Sequence, residues 1–240
     1  MKRNRANILG VVVDSTNLVE VLRKIDIQVQ NPNRRKPFFV VTVNPEFILL
    51  AQNDPEFKNI LNSADLAIAD GVGLKLAGIK NIIPGRKLVA ELLEKPYKFF
   101  FLGGQNGVAG EMVKKYGGTF DEGEFDKTNP SRNNEILKKI NKYKPDILLV
   151  AYGAPWQEKW IWNNLSDIHT RVCIGIGGAF DYLTGKTILP PKLVEKGGFE
   201  WLWRLVHEPW RWRRQLNLVR FIIDVLRTRI WSNLLASKLT

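Results

Sequence analysis

Short apolar runs alternate along the chain with segments in which apolar residues recur every three or four positions. The runs predict β-strands, and their continuous apolar character is typical of strands buried between two layers of helices. The predicted strands are Ile8–Val13, Phe38–Val43, Asp65–Asp70, Lys98–Leu102, Asp146–Ala151 and Val172–Ile176. Helices are predicted over residues 17–29, from 45, over 55–61, 87–94, 107–116, 133–143 and 156–164. This alternation predicts an α/β fold with a doubly wound, mostly parallel, Rossmann-like sheet and a C-terminal helical appendage.

Two of the helix starts carry a strong local signal. Asn44-Pro45 and Asp54-Pro55 each place a capping side chain directly before a proline. The cap accepts a hydrogen bond from a free backbone N–H, and proline fits the first helical position because it has no N–H to lose. We therefore expect two helices in succession after the second predicted strand.

The C-terminal segment differs in composition from the rest of the chain. Pro190-Pro191 and Gly197-Gly198 mark the change, so we divide the chain into a core (1–190) and a basic, Trp-rich appendage (191–240). Residues 199–240 contain eight of the 36 Lys and Arg residues but only three of the 24 Asp and Glu residues. They also contain five of the eight tryptophans.

The appendage contains an amphipathic helical pattern after Pro209. Its polar face is formed by Arg213, Asn217, Arg220, Asp224 and Arg227. Its apolar face is formed by Leu216, Val219, Ile223, Leu226, Ile230 and Leu234. A basic and Trp-bearing amphipathic helix suits an anionic membrane surface, and packing of the same helix on its own domain is the alternative.

Charge and cysteine usage narrow the location of the protein. The net charge of +12 favours an anionic partner, either a membrane surface or a nucleic acid. The single cysteine, Cys173, lies in an apolar run and is expected to be buried, and one cysteine fits a reducing compartment. Apolar runs stay well below the roughly 18 residues that span a bilayer. We expect a cytoplasmic protein that is peripheral on the inner face of the membrane.

Polar or glycine-rich turns follow five of the predicted strands, and in a parallel sheet these turns meet at one edge, where ligands bind. Asp70, followed by Gly71, ends one strand and suits a general base, although a turn-forming role is equally compatible.

Thr42 and Asn44 end another strand and could form hydrogen bonds with a sugar or a phosphate. Asn44 is also a candidate helix cap. Gly103 and Gly104 open a helix and could approach a phosphate, or simply form a tight turn.

Two more strand ends complete the set of candidate positions. Gln157 follows the fifth strand and Asp181 follows the sixth. Asp181 could hold a ribose or a base edge, or cap a turn. Arg204, Arg211 and Arg214 in the appendage could share a face and bind a diphosphate, because guanidinium groups bind phosphates bidentately.

Several classes of site are disfavoured by what the sequence lacks. The two histidines and one cysteine have no metal-ligand spacing, and there is no Asp-x-Asp pair to hold a divalent metal against a nucleotide diphosphate. No cofactor or metal is therefore expected. The glycine fingerprint of dinucleotide-binding enzymes is also missing, which disfavours an oxidoreductase.

Six segments, taken in order, resemble a known family. They are Thr42–Glu46, Asn62–Gly73, Phe101–Gly104, Gly153–Glu158, Gly175–Asp181 and Glu200–Pro209. The chain resembles the WecG/TagA/CpsF glycosyltransferases, also called glycosyltransferase family 26, from Ile8 to about Phe221.

The resemblance implies inverting, metal-independent transfer of an N-acetylmannosamine-type sugar from a UDP-sugar donor to a polyprenyl (undecaprenyl)-diphosphate-linked acceptor. Such enzymes build teichoic acid linkages, enterobacterial common antigen or capsule. By similarity, Asp70 matches the general base, and Thr42 and Asn44 line its pocket. Also by similarity, Gln157 and Asp181 lie near the nucleotide sugar. Arg86 matches a loop arginine, and the three appendage arginines match those that close over the diphosphate. The resemblance also leaves a homo-oligomer open.

A basic nucleic-acid-binding module is the alternative hypothesis. The interleaved Arg and Trp residues of the appendage could contact phosphates and stack on bases. That reading leaves the five polar strand ends without a role, so we do not expect nucleic acid as a partner.

Overall fold

One eight-stranded sheet forms the centre of the computed structural model, which describes residues 4–123, 130–191 and 217–228 together with 194, 202, 203 and 206. The strands are β1 (Arg5–Ile8), β2 (Val11–Asp14), β3 (Phe38–Val43), β4 (Leu66–Ala69), β5 (Phe99–Gly103), β6 (Thr119–Asp121), β7 (Ile147–Ala151) and β8 (Val172–Gly175). Their order across the sheet is β1-β2-β4-β3-β8-β7-β5-β6. β1 and β2 are antiparallel, and the other neighbouring pairs are parallel.

Helices cover both faces of this sheet. They are α1 (Leu18–Val29), α2 (Pro45–Asn53), α3 (Pro55–Ser63), α4 (Gly85–Leu93), α5 (Val108–Tyr116), α6 (Pro130–Tyr143), α7 (Trp156–Asn164), α8 (Ala179–Leu183) and α9 (residues 217–228). A 3₁₀ helix, Val72–Ala77, follows β4. The helices α2, α3, α6, α7 and α9 contribute to one buried cluster, and α1, α4, α5 and α8 contribute to the other. The predicted α/β fold with a mostly parallel sheet is confirmed.

The predicted helix caps of α2 and α3 are confirmed. The Asn44 side chain accepts a hydrogen bond from the Phe47 N–H at 3.0 Å, and the Asp54 side chain accepts one from the Phe57 N–H at 2.9 Å. Every residue of β3 is buried, as its continuous apolar run predicts. Cys173, in β8, is also buried as predicted, and burial raises the pKa of its thiol.

The first predicted strand, Ile8–Val13, is wrong. Residues 5–14 form a hairpin of β1 and β2 in which Ile8 pairs with Val11. Leu9 and Gly10 make the turn with φ of 51° and 83°. Two successive residues with positive φ match the twist of antiparallel strands. Leucine is rare at such a position, so the sequence shows an uninterrupted apolar run and gives no signal for a turn. The short elements β6 and α8 have no counterpart among the elements that the sequence predicts.

The amphipathic pattern of the appendage does form a helix, α9, within its described residues. Phe221 and Val225 are buried in the core cluster formed by α2, α3, α6 and α7. Val219, Ile223 and Leu226, which belong to the predicted apolar face, are instead 56%, 44% and 51% exposed. The helix thus has two apolar stripes, one packed on the core and one facing outward. The domain boundary near residue 190 stays a prediction.

Among the described residues, no helix is both long enough and apolar enough to cross a membrane.

Candidate active site

A cleft lies at the carboxyl ends of β3 and β8, which are neighbours in the centre of the sheet. The helix after β3, α2, packs on one face of the sheet, whereas the helix after β8, α8, packs on the other. Because the two connections leave in opposite directions, a crevice opens between the strands, which is where open α/β sheets bind ligands. Five of the predicted site residues line it: Thr42, Asn44, Asp70, Arg86 and Gln157.

One wall of the cleft brings Thr42 and Asp70 together. The two residues end adjacent parallel strands, in which Thr42 pairs with Ile68 and Val43 with Ala69. Their side chains converge on Gly85, since a Cβ at that position would lie 3.3 Å from both Asp70 Oδ2 and Thr42 Cγ2. The missing side chain of Gly85 therefore lets the first turn of α4 approach both residues.

Asn44 and Arg86 lie at the starts of the two helices that border this wall. The Asn44 side chain caps α2, so the turn between β3 and α2 is held in a fixed conformation. Arg86 lies in the first turn of α4 and brings a guanidinium group to the cleft. A cation at this position suits a negatively charged ligand.

The opposite wall is held by the side chain of Gln157, which is only 1% exposed. Its Oε1 accepts hydrogen bonds from the N–H of Gly153 at 3.1 Å and the N–H of Gly177 at 2.9 Å. These two glycines belong to the turns that follow β7 and β8, and both line the cleft. Gln157 therefore joins two neighbouring strand ends.

Buried polar groups lie beneath both walls of the cleft. Thr42 Oγ1 donates a hydrogen bond to the Gly175 carbonyl at 3.1 Å, and Gln157 Nε2 donates one to Glu158 Oε1 at 2.7 Å. Glu158 has no exposed surface. Burial raises the pKa of its carboxyl group from 4.5 to about 7, and the hydrogen bond from Gln157 acts in the opposite direction.

The other predicted glycines lie near the cleft without lining it. A Cβ on Gly103 would lie 2.6 Å from the Tyr152 ring, and one on Gly104 would approach Val108 even more closely. Both positions thus leave space for neighbouring side chains and have positive φ values of 83° and 90°. Gly71, with φ of 100°, makes the turn after Asp70. The ligand-binding roles of these three glycines stay predictions.

Asp181 lies in α8, next to residues that border the cleft. Its carbonyl accepts a hydrogen bond from the Thr187 N–H at 3.0 Å, while Tyr182, the next residue, lines the cleft. Arg204, Arg211 and Arg214 lie outside the described residues, so their predicted contact with a diphosphate stays a prediction.

Sequence reasoning missed two polar residues of the cleft, Glu46 and Tyr182. Glu46 could have been found, because it follows Asn44-Pro45 and therefore lies in the first turn of a predicted helix at a strand end. Tyr182 lies in a five-residue helix that has no clear periodic signal. Within the described ranges, no group of three or more His, Cys, Asp or Glu side chains is arranged to hold a metal ion.

Comparison with known proteins identifies a family whose sequence profile matches most of the chain. The sequence profile of the glycosyl transferase WecG/TagA/CpsF family matches residues 6–234. Proteins named N-acetylglucosaminyldiphosphoundecaprenol N-acetyl-beta-D-mannosaminyltransferase are among the relatives. The one from Bacillus spizizenii is 31% identical over 81% of each chain, and the one from Bacillus subtilis is 30% identical over 78% of each. The one from Staphylococcus aureus strain MRSA252 is 28% identical over 88% of this chain and 86% of its own. These relatives give no support to the nucleic-acid-binding alternative.

Proposed function

The chain belongs to the WecG/TagA/CpsF family of glycosyltransferases, and we propose that it moves an N-acetylmannosamine-type sugar from a UDP-sugar donor to a polyprenyl-diphosphate-linked sugar. The acceptor and the transferred sugar are those in the names of its relatives. One observation carries the proposal: a single cleft is lined by Asp70, Thr42, Asn44 and Gln157. We further propose that the product serves the synthesis of a cell-surface polysaccharide such as teichoic acid or capsule.

In the proposed reaction, the acceptor hydroxyl attacks the anomeric carbon of the donor sugar from the side opposite the diphosphate. A new C–O bond forms as the bond between the anomeric carbon and the diphosphate oxygen breaks, so the configuration is inverted. The bonding electron pair leaves with UDP. The Asp70 carboxylate takes the proton from the attacking hydroxyl, which makes the oxygen a better nucleophile.

The leaving diphosphate needs positive charge close to it. Arg86 borders the cleft and can supply part of that charge. We propose that Arg204, Arg211 and Arg214 supply the rest and that no metal ion takes part. Thr42 and Asn44 lie on the Asp70 side of the cleft, where hydroxyl and amide groups can bond the donor sugar.

We also propose that the enzyme works at the inner surface of the membrane, because a polyprenyl diphosphate stays in the bilayer. The outward-facing stripe of Val219, Ile223 and Leu226 supports this location. Apolar side chains on a basic helix can enter the membrane interface. Each basic residue near anionic lipid contributes on the order of 1 kcal/mol to the free energy of binding.

A panel of UDP-sugars tests the proposed function. The purified enzyme is incubated with each donor and a short-chain N-acetylglucosaminyl polyprenyl diphosphate, and UDP release is measured with and without a chelator. We expect release only with acceptor present, fastest with UDP-N-acetylmannosamine, and unchanged by the chelator. Absence of release with every donor would contradict the proposal.

Asp70→Asn tests the proposed base. We expect turnover to fall by about a hundredfold or more, because proton removal is lost while the shape of the side chain is kept. Melting temperature and UDP binding should stay close to wild type. Turnover near the wild-type value would remove Asp70 from the role of base.

Asp65→Asn is the matched control, because it makes the same change directly before β4, at the far end of the strand. Asp65 Oδ2 accepts hydrogen bonds from the Phe39 N–H at 2.9 Å and from Arg34 at 2.5 Å, so its role is structural. We expect this variant to lose stability but to keep its turnover per folded molecule.

A further inference from the structure

The buried carboxyl group of Glu158 has no direct part in the proposed reaction. It lies in the first turn of α7, beneath the cleft wall, and is absent from the cleft lining. Its Oε1 accepts the hydrogen bond from Gln157 Nε2, and within the described part of the chain Oε2 has no hydrogen-bond partner. Burial of an ionisable group lowers the stability of the folded protein, so we expect a function that explains why it is buried.

A favourable position at a helix N-terminus does not account for this burial. A carboxylate also interacts favourably with the first turn of a helix when it is exposed, so this interaction does not require burial. The space that Glu158 occupies exists because Gly175 has no side chain: a Cβ there would lie 2.5 Å from Glu158 Oε1 and 2.9 Å from Gln157 Nε2. The sheet is thus shaped to admit this pair of side chains.

The contacts around Gln157 allow only one orientation of its amide. Gly153 and Gly177 present N–H donors, so the oxygen must face them, and the NH₂ group must then face an acceptor. Glu158 Oε1 is that acceptor. Without it, the buried NH₂ group of Gln157 would have no acceptor, and this cost would weaken the hold of the amide on the turns after β7 and β8.

We propose that Glu158 is a positioning residue, whose carboxyl oxygen holds the Gln157 amide so that the two glycine turns of the cleft stay at a fixed separation. Its influence on catalysis rests on the proposed transfer reaction. What the role requires is a hydrogen-bond acceptor at Oε1, not a negative charge. Glu158→Gln keeps such an acceptor, whereas Glu158→Met has a similar length and keeps none.

The structural part of this proposal is tested without any substrate. Selective ¹⁵N-glycine labelling reports on only 19 residues, so the amide exchange rates of Gly153 and Gly177 can be measured individually. In Glu158→Met we expect both amides to exchange about tenfold faster or more, with Gly110 in α5 as an unaffected reference. In Glu158→Gln we expect wild-type rates. Wild-type rates in Glu158→Met would overturn the proposal.

The catalytic part is tested by kinetics. We expect kcat/KM to fall about tenfold or more in Glu158→Met and to stay within about threefold of wild type in Glu158→Gln. In a Gln157→Ala background, Glu158→Met should have little further effect, because its influence passes through Gln157. A full additional loss there, or a Glu158→Gln variant as impaired as Glu158→Met, would overturn the proposal.

Two further outcomes are also decisive. If Glu158→Met does not fold, Glu158→Gln still tests the claim, since loss of its glycine protection would overturn it and retention supports it. If the wild-type protein transfers no sugar, the proposed function fails, but the exchange rates still show whether Glu158 holds Gln157.

Discussion

At Gly175, the last residue of β8, the space that a side chain would fill holds the Gln157 amide and the Glu158 carboxyl group. Gly175→Ala would place a methyl group 2.5 Å from Glu158 Oε1. We expect the free energy of unfolding to fall by about 1–3 kcal/mol, because both side chains must move within a packed interior. Urea denaturation measures this change.

Gly178→Ala is the control for that prediction. A Cβ at Gly178 would meet only Asp181 Oδ2, at an ordinary contact distance of 3.7 Å. The stability of this variant should stay within about 0.5 kcal/mol of wild type. Equal stability of the two alanine variants would show that the space at Gly175 is not needed.

The raised pKa of Glu158 predicts a pH-dependent stability. Between its unfolded pKa of 4.5 and its folded pKa of about 7, the folded protein keeps a proton that the unfolded chain releases. The contribution is therefore complete below pH 4.5 and is lost as the pH rises through about 7. Relative to Glu158→Gln, the unfolding free energy of wild type should fall by on the order of 3 kcal/mol between pH 5 and 8. A difference that does not change with pH would contradict this.

The sequence predicts the positions of some candidate residues but not the contacts of others. Asp70, Thr42 and Asn44 directly follow or end apolar strands, so their placement at one sheet edge follows from the strand pattern alone. The resemblance placed Gln157 near the nucleotide sugar, but not its bonds to Gly153 and Gly177. Those bonds depend on β7 and β8 being neighbours in the sheet. The hydrophobic pattern of each segment does not show which strands will be neighbours.

Among the helices, α6 ends at a position that favours another residue. Lys144, directly after the helix, is exposed, has φ of 54° and donates its N–H to the Ile140 carbonyl. A left-handed residue after a helix is normally glycine, because a Cβ is strained there. We expect Lys144→Gly to raise the unfolding free energy by about 0.5–1 kcal/mol. Thermal denaturation measures the change.

Lys142→Gly is the matched control, since Lys142 is an exposed lysine inside the same helix. There glycine should lower stability by up to about 1 kcal/mol. The same sign for both variants would contradict the explanation from backbone conformation.

Elements with long periodic patterns or capping signals were predicted well, and short ones were not. α7 was predicted with its observed bounds, Trp156–Asn164. β6 has three residues and α8 has five, which is too few for a period to show. The turn between β1 and β2 was missed because Leu9 extends an apolar run while taking a positive φ of 51°.

At the scale of the whole molecule, the outward stripe of α9 predicts how the protein meets a membrane. Val219→Asp combined with Ile223→Asp should reduce binding to liposomes containing anionic lipid by about tenfold or more, because both side chains lose apolar area that the interface would bury. Flotation of the purified protein measures the bound fraction.

The control places the same two charges on another exposed surface. Val19 and Ile27 of α1 are 76% and 49% exposed, and α1 packs on the opposite face of the sheet from α9. Val19→Asp combined with Ile27→Asp should leave binding close to wild type. Equal losses in the two double variants would mean that total charge, not the α9 surface, governs binding.

The pairing of β3 with β8 also has a consequence for synthesis of the protein. Phe38 pairs with Val172 and Val40 with Ile174, so the two halves of the cleft are translated far apart in time. A nascent chain must leave the ribosome almost as far as α8 before β3 meets this neighbour, and pairings this distant in sequence form slowly. Translation products that stop before β8 should therefore be unable to bind a ligand of the cleft.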